Sequence, residues 1–197
     1  MNPETKRKKV ETLYCYVDET GQDTLGKFFI VAVVVSRSNR DSLVAKLQEF
    51  EQRSGKGKVK WMEARHRARF DYMRAVLSSP SFKHTLYFST FKNTTKYMAL
   101  TVLSTAKAIV LAAPERSATT VYVDGLPKSR VRWFGTELRH LSVRNSRVRG
   151  VRQQQADSLM CLADAVAGFV RLALGVRDRD ATELFERAKQ EGYLAEA

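Results

Sequence analysis

Acidic residues follow directly on apolar, strand-like segments at two places in the chain. In YCYVDETG, at residues 14–21, the apolar run ends in Asp18 and Glu19, and in TTVYVDG, at residues 119–125, it ends in Asp124. Acids are depleted within strands because they pack poorly on a half-buried surface. Ligand sites of parallel sheets lie beyond the carboxyl ends of the strands. If these two strands are neighbours, Asp18 and Asp124 face each other at such a site.

Two further acids lie in a strongly apolar segment, residues 155–174, whose pattern predicts a helix. Asp157 and Asp164 are seven residues apart, nearly two helical turns, so both lie on one face of that helix. An acid on a buried helix is costly unless it is paired or bound to a metal. The helical rise separates the two by about 10.5 Å, which is too far to serve the same metal. We prefer Asp164 as the ligand because its neighbours are small: Ala163, Ala165, Ala167 and Gly168.

Carboxylates gathered in one place repel one another unless something neutralises them. Divalent cations do this well, because hard cations such as Mg²⁺ prefer carboxylate oxygens. The acids therefore predict a site for Mg²⁺ or Mn²⁺.

Structural roles remain open for each acid. Asp18 and the Asp124-Gly125 pair can begin turns. Asp157 can cap its helix, and Asp164 can form a buried ion pair with an arginine.

The chain carries 34 Lys and Arg against 21 Asp and Glu, a formal net charge of +13. So strong a positive charge favours a polyanionic partner, most often nucleic acid. Basic clusters are interleaved with Trp61 and Trp133. We predict that the following residues contact a nucleic-acid backbone: Lys58, Lys60, Arg65, Lys128, Arg130, Arg132 and Arg149. A solvated basic surface without a partner is the alternative, and a membrane surface is disfavoured because no basic amphipathic helix stands out.

Other classes of site have little support in the sequence. Cys15 and Cys161 are the only cysteines, without a CxxC motif or a Cys/His cluster, so we expect two buried thiols and no zinc site. The three histidines are scattered. No apolar run approaches the roughly 20 residues of a membrane span, and the polar, basic N-terminus does not resemble a signal peptide. These features predict a soluble, cytoplasmic protein, and they leave its oligomeric state open.

The length of 197 residues suits one domain, which we place at residues 12–197 after a basic tail at 1–11. Residue patterns predict strands at 12–17, 27–36, 82–91, 119–123 and 141–151. They predict helices at about 41–53, 61–77, 94–112, 130–141, 155–174 and 181–191. An initial hairpin followed by alternating strands and helices indicates an α/β protein, with a mixed sheet of about five strands and helices on its faces. The third and fourth strands should run parallel, joined by a right-handed crossover.

Three of these segments together carry a resemblance to a known family. YVDETG, VYVDG and SLMCLADAVAGFV resemble the motifs of the family catalogued as domain of unknown function 3800, over residues 12 to about 175. In that resemblance Asp18, Asp124 and Asp164 match the family's three acids, and Glu19 matches the second acid of its first motif. One departure is Cys161, which stands where the family usually has a glutamine.

The resemblance implies a ribonuclease H-like fold and metal-dependent nuclease chemistry. Sites of that kind use two cations about 3.5–4 Å apart. Asp18 would bridge both, Asp124 would hold the first and Asp164 the second. Lys60, in KWME, would neutralise the scissile phosphate.

Two acids keep open roles in this scheme. Glu63 would be a further helix-borne ligand or, as the alternative, a solvated residue. Glu19 points away from the site unless a turn brings it in, because successive strand side chains face opposite sides. The predicted function is phosphodiester hydrolysis of RNA, DNA or a hybrid, with a non-catalytic nucleic-acid-binding module as the alternative. A protein-interaction domain is a third possibility.

Overall fold

The computed structural model describes residues 11–25, 27–112, 117–143, 146–152, 155–175 and 178–197. The predicted basic tail, except residue 11, lies outside these ranges. Six strands are formed: β1 (Glu11–Thr20), β2 (Phe29–Ser36), β3 (Leu86–Phe91), β4 (Ser117–Asp124), β5 (Ser146–Val151) and β6 (Leu194–Glu196). Six α-helices accompany them: α1 (Arg40–Ser54), α2 (His66–Leu77), α3 (Tyr97–Ala112), α4 (Lys128–His140), α5 (Ser158–Gly175) and α6 (Arg179–Gln190).

The strands form one mixed sheet in the order β5-β4-β1-β2-β3-β6. The pairs β1/β2 and β2/β3 are antiparallel, and the other three pairs are parallel. The predicted α/β class and mixed sheet are confirmed. The sheet has six described strands rather than the predicted five or so. The sequence did not predict β6, because it has only three residues and shows no hydrophobic pattern of its own. Strands β3 and β4 run in the same direction, as predicted, with β1 and β2 between them.

Strand β1 continues through the acids that were expected to follow it. Asp18 pairs with Ala32 and Glu19 with Val31, so both acids belong to the β1/β2 ladder. The turn begins instead at Gly21, whose φ of 97° is left-handed. A Cβ at that position would lie 2.1 Å from the Phe28 carbonyl oxygen, so only glycine fits. Asp18 is therefore held by a paired strand and not by a turn.

Helices cover the sheet unequally on its two sides. The α5 side has a core of residues from α1, α2, α5 and α6, with Tyr16 and Ala32 contributed by the sheet. The α3 side has a core from α3 and α4, with Val17 and Val33 contributed by the sheet. Since side chains alternate along a strand, Asp18 follows Tyr16 to the α5 side and Glu19 follows Val17 to the α3 side.

Helix α5 is the centre of its side of the molecule. Its 18 residues have a mean hydropathy of 1.6, so length and composition alone would allow it to cross a membrane. The sequence-based expectation that no apolar run approaches this length therefore needs correction. The helix is, however, 67% buried among the sheet and the other helices. Such burial is what the core helix of a soluble protein shows, and the cytoplasmic location stays a prediction.

Candidate metal and nucleic-acid site

Three acids from three elements line one small cavity at the end of the sheet. Asp18 lies in β1, Asp124 ends β4 and Asp164 lies in α5, and all three line a cavity of about 40 Å³. The first two meet because β1 and β4 are parallel neighbours in which Val17 pairs with Val123. The expected proximity of Asp18 and Asp124 is therefore confirmed. The remaining lining residues are Lys58, Val59, Lys60, Ala156, Met160 and Cys161.

Asp18 experiences the strongest repulsion in this cavity. Burial raises its pKa well above the ordinary value for aspartate, and the charges of Asp124 and then Asp164 raise it further. The one hydrogen bond that opposes this comes from the backbone N–H of Glu19, which donates to Asp18 Oδ1 at 2.8 Å. An opposite charge brought near Asp18 would thus be strongly favoured.

Asp164 is oriented by the backbone of Trp61, whose N–H donates to Asp164 Oδ2 at 2.6 Å. Burial raises the pKa of Asp164, while that hydrogen bond and the charges of Lys56 and Lys60 lower it. Trp61 in turn lies directly against Gly168, where an added Cβ would stand 2.2 Å from the Trp61 Cδ1 atom. Gly168 therefore allows the approach that fixes Asp164. In the sequence, the cluster of small residues around Asp164 was the signal for this close packing.

The buried side chain of Lys56 holds the segment that carries Lys58 and Lys60. Lys56 is 2% exposed, its Nζ donates to the Val59 carbonyl oxygen at 2.8 Å, and it lies 5.0 Å from the ring centroid of Tyr72. Sequence reasoning missed Lys56 because nothing in the loop pattern marks it as buried. The Cys161 thiol contacts the same segment at the Lys58 carbonyl oxygen, 3.7 Å away. Cys161 thus supports the loop where the resembled family has a glutamine.

The donor set suits a hard divalent cation, since it offers three carboxylates in one cavity with a raised pKa at its most crowded member. Besides the Glu19 N–H bound to Asp18, the other two carboxylates also have partners within the protein. Lys60 Nζ lies 3.7 Å from Asp124 Oδ2, and the Trp61 amide binds Asp164. As the side chains stand, no group of three or more His, Cys, Asp or Glu in the described part of the chain is arranged to hold a metal ion. Lys60 is thus the charged partner of Asp124 in the cavity.

Asp157 is not brought to this cavity, which corrects its prediction as a metal ligand. Its Oδ1 accepts hydrogen bonds from the backbone N–H groups of Leu159 and Met160, both at 3.1 Å. Its Oδ2 pairs with the guanidinium of Arg40 at 2.5 Å. Asp157 thus caps the start of α5, the structural alternative that the sequence had left open.

Glu63 and Glu19 also lie away from the cavity. The predicted helix at 61–77 begins only at His66, and Glu63 is an exposed residue of the preceding turn. Glu19 faces α3, where Thr101 Oγ1 donates to its Oε2 at 3.4 Å. Burial raises the pKa of Glu19 to about 7. Neither residue lines the cavity, so we remove both from the candidate ligand set.

The predicted nucleic-acid contacts divide into two groups. Lys58 and Lys60 line the carboxylate cavity, and Arg149 lines the cavity next to it. The others are exposed at the start of α2 or on α4, which packs against the far side of the sheet: Arg65, Lys128, Arg130 and Arg132. Trp61, which had been read as a sign of nucleic-acid binding, is 2% exposed and belongs to the core.

Comparison with known proteins gives structural matches alone. No family model matches the chain, and no curated protein matches it. The crystal structure of ribonuclease H2 from Pyrococcus horikoshii OT3 is similar, with a TM-score of 0.51 and 12% identity over 91% of this chain and 76% of that one. A structure of Bst-RNase HIII in complex with Mn²⁺ has a TM-score of 0.45 and 14% identity, over 93% of this chain and 56% of that one. At these identities the similarity shows the fold alone, and that fold is ribonuclease H-like.

Proposed function

We propose that the protein is a divalent-metal-dependent nuclease that hydrolyses phosphodiester bonds in RNA, DNA or a hybrid of the two. The observation that carries the proposal is the convergence of Asp18, Asp124 and Asp164 on one cavity beside Lys58 and Lys60. A ribonuclease H-like fold and a net charge of +13 support it. We also propose membership of the domain of unknown function 3800 family, a nucleic-acid partner and a cytoplasmic location.

In this proposal each residue of the cavity has a separate task. Asp18, crowded by both other acids, would hold Mg²⁺ or Mn²⁺ together with Asp124 and Asp164. Bound cations supply a hydroxide nucleophile near neutral pH and stabilise the leaving oxygen. The Trp61 amide keeps Asp164 oriented toward the cavity. Lys60, once released from Asp124, neutralises the scissile phosphate.

A cleavage assay tests the proposal directly. Labelled RNA, DNA and hybrid substrates are incubated with the protein and Mg²⁺ or Mn²⁺, with EDTA as the metal-free control. Asp18→Asn should reduce cleavage by about a hundredfold or more. Asp157→Asn removes the same charge from an acid outside the cavity and should retain cleavage. Cleavage by Asp18→Asn at the wild-type rate would remove this site from consideration.

Metal binding is tested separately by thermal unfolding. A cation that binds only the folded protein raises its melting temperature. We expect Mn²⁺ to raise the melting temperature of the wild type and of Asp157→Asn, but not that of Asp124→Asn. An equal rise in all three would place the bound ion elsewhere.

The pairing of Lys60 with Asp124 also favours a second candidate, a non-catalytic nucleic-acid-binding module. A lysine that permanently neutralises the acid would make a cation unnecessary. This function predicts salt-dependent binding to nucleic acid, no thermal shift with Mn²⁺, and no cleavage. The two assays above therefore separate the candidates.

A further inference from the structure

Beside the carboxylate cavity, the α5 side of the sheet carries a row of tyrosines and arginines over β1, β4 and β5. The strand register aligns Tyr16 with Tyr122 and Arg149, and the row before it aligns Tyr14 with Thr120 and Arg147. Tyr14 and Tyr122 are half-buried, and both arginines are exposed. We refer to Tyr14, Tyr122, Arg147 and Arg149 as the tyrosine–arginine face.

Tyr122 is supported by a neighbouring ring and borders two cavities. Its ring stacks on that of Tyr16, with centroids 5.0 Å apart and planes inclined by 13°. Tyr16 is 2% exposed, and its hydroxyl accepts a hydrogen bond from Arg40 Nε at 2.6 Å. Tyr122 also lines two cavities, of about 240 and 820 Å³. The sheet therefore holds a flat aromatic surface in a fixed position next to open space.

The unneutralised charge on this face lies at the β5 edge. Arg147 and Arg149 form no ion pair with any residue that the structure describes. Arg40, by contrast, is paired with both Asp41 and Asp157. Exposed guanidinium groups beside an aromatic ring suit a ligand that combines phosphates with planar bases.

The face continues into the carboxylate cavity. Met160 lines both that cavity and the 240 Å³ cavity at Tyr122. Asp124 follows Tyr122 by two residues on the same strand, a distance of about 7 Å. A strand whose phosphate lies at the carboxylates thus brings a neighbouring nucleotide to Tyr122.

We infer that the tyrosine–arginine face binds a single-stranded segment of nucleic acid, with one unpaired base stacked on Tyr122 and flanking phosphates on Arg149 and Arg147. This inference rests on the proposed function for the position of the scissile phosphate. The 240 Å³ cavity lies between β5 and the start of α5 and has space for one base. A base pair is too large to enter it. Single strands are therefore preferred over duplexes.

Binding without cations tests the inference independently of catalysis. Fluorescence anisotropy in EDTA, over a range of salt concentrations, compares a labelled single-stranded oligonucleotide with its duplex. Tyr122→Ala should weaken single-strand binding by about five- to a hundredfold, the effect of losing one stacked base. Tyr122→Phe retains the ring and should bind as the wild type does.

The arginines are tested through salt dependence. Arg149→Gln should lower the slope of log affinity against log salt by about one, as expected for the loss of one phosphate contact. Lys107→Gln removes one positive charge from α3, on the other side of the sheet, and should leave the slope unchanged.

Wild-type binding by both Tyr122→Ala and Arg149→Gln, or tighter binding of the duplex, would overturn the inference. If Tyr122→Ala does not fold, Tyr122→Leu keeps side-chain volume without an aromatic face and decides the question. If the binding results are as expected but no metal-dependent cleavage is found, the nuclease function is rejected and single-strand binding at the tyrosine–arginine face is retained. If cleavage depends on Asp18 but not on Tyr122, the nuclease function is retained and the binding role of the face is rejected.

Discussion

Two acids near the start of α5, seven residues apart, have opposite surroundings. Asp157 is fully compensated, since Arg40 and two backbone N–H groups bind its carboxylate. Asp164 shares its cavity with Asp18 and Asp124, and its charge is opposed mainly by one backbone N–H and by nearby lysines. Asp157 therefore stabilises the fold, whereas the repulsion among Asp164, Asp18 and Asp124 favours the binding of a cation. Removing each acid should therefore have different consequences.

The largest expected effect is a loss of activity without a loss of stability in Asp18→Asn. If Asp18 binds the cations, activity should fall by about a hundredfold or more, the scale of losing one electrostatic contact in a transition state. The metal-free variant should be at least as stable as the wild type, because the substitution removes a carboxylate that burial and two like charges disfavour. Cleavage rates and urea unfolding in EDTA measure the two quantities. A destabilised Asp18→Asn would mean that the carboxylate has a structural partner.

A second expected effect concerns Gly168, which positions Asp164 through Trp61. Gly168→Ala should lower the free energy of unfolding by about 1–3 kcal/mol, because the new methyl group overlaps the indole. It should also reduce cleavage, since the Trp61 amide moves away from Asp164. The control is Gly175→Ala, where a Cβ meets nothing within 4 Å. Equal behaviour of the two variants would show that Trp61 does not orient the site.

The third expected effect is a loss of stability without a loss of metal response. Asp157→Ala should lower the free energy of unfolding by about 2 kcal/mol, because α5 loses its cap and Arg40 loses a half-buried partner. The Mn²⁺-dependent rise in melting temperature should persist. Asp41→Ala removes the other carboxylate beside Arg40, and because that side chain is 95% exposed it should cost much less. A lost Mn²⁺ response in Asp157→Ala would return this acid to the ligand set.

The smallest expected effect is a change in the pH dependence of stability at Glu51, a buried acid with partial compensation. Burial raises its pKa, and Ser158 Oγ donates to its Oε2 at 3.1 Å. Because the folded protein then holds the proton more tightly than the unfolded chain, stability falls as pH rises through the range above the ordinary glutamate pKa. Glu51→Gln should therefore gain stability relative to the wild type between pH 5 and pH 8.

Denaturant unfolding in EDTA at those two pH values measures this difference. Glu49→Gln removes one charge from the exposed side of the same helix and serves as the control. If the free energy of unfolding of the wild type instead rises relative to that of Glu51→Gln between pH 5 and pH 8, the assigned environment of Glu51 is wrong.

Much of the site was predictable where local pattern and topology agree. The apolar runs before Asp18 and Asp124 identify two strands, and the prediction that these acids face each other if the strands are neighbours is met, although β1 continues past Asp18 to Thr20. The preference for Asp164 followed from its small neighbours, and Gly168 shows the close packing that such residues permit.

The remaining assignments depended on distant contacts. Asp157 was a candidate both for the helix cap and for the metal site, and the sequence does not show that Arg40, 117 residues away, also binds its carboxylate. Glu63 lay within the helix predicted at 61–77, but Trp61 packs against α5 and the helix begins only at His66. No local sequence pattern identifies Arg40 as a partner of Asp157, or α5 as the helix against which Trp61 packs.

The adjacency of Asp18 and Glu19 on a paired strand has one more consequence. A displacement of β1 by a single residue against β2 would exchange their sides of the sheet, sending the glutamate toward α5 and the aspartate toward α3. The same displacement would move Val17 and Cys15 out of the α3-side core and Tyr16 out of the α5-side core, so that neither core would keep its packing. The hydrophobic cores on the two sides of the sheet therefore select which carboxylate reaches the cavity.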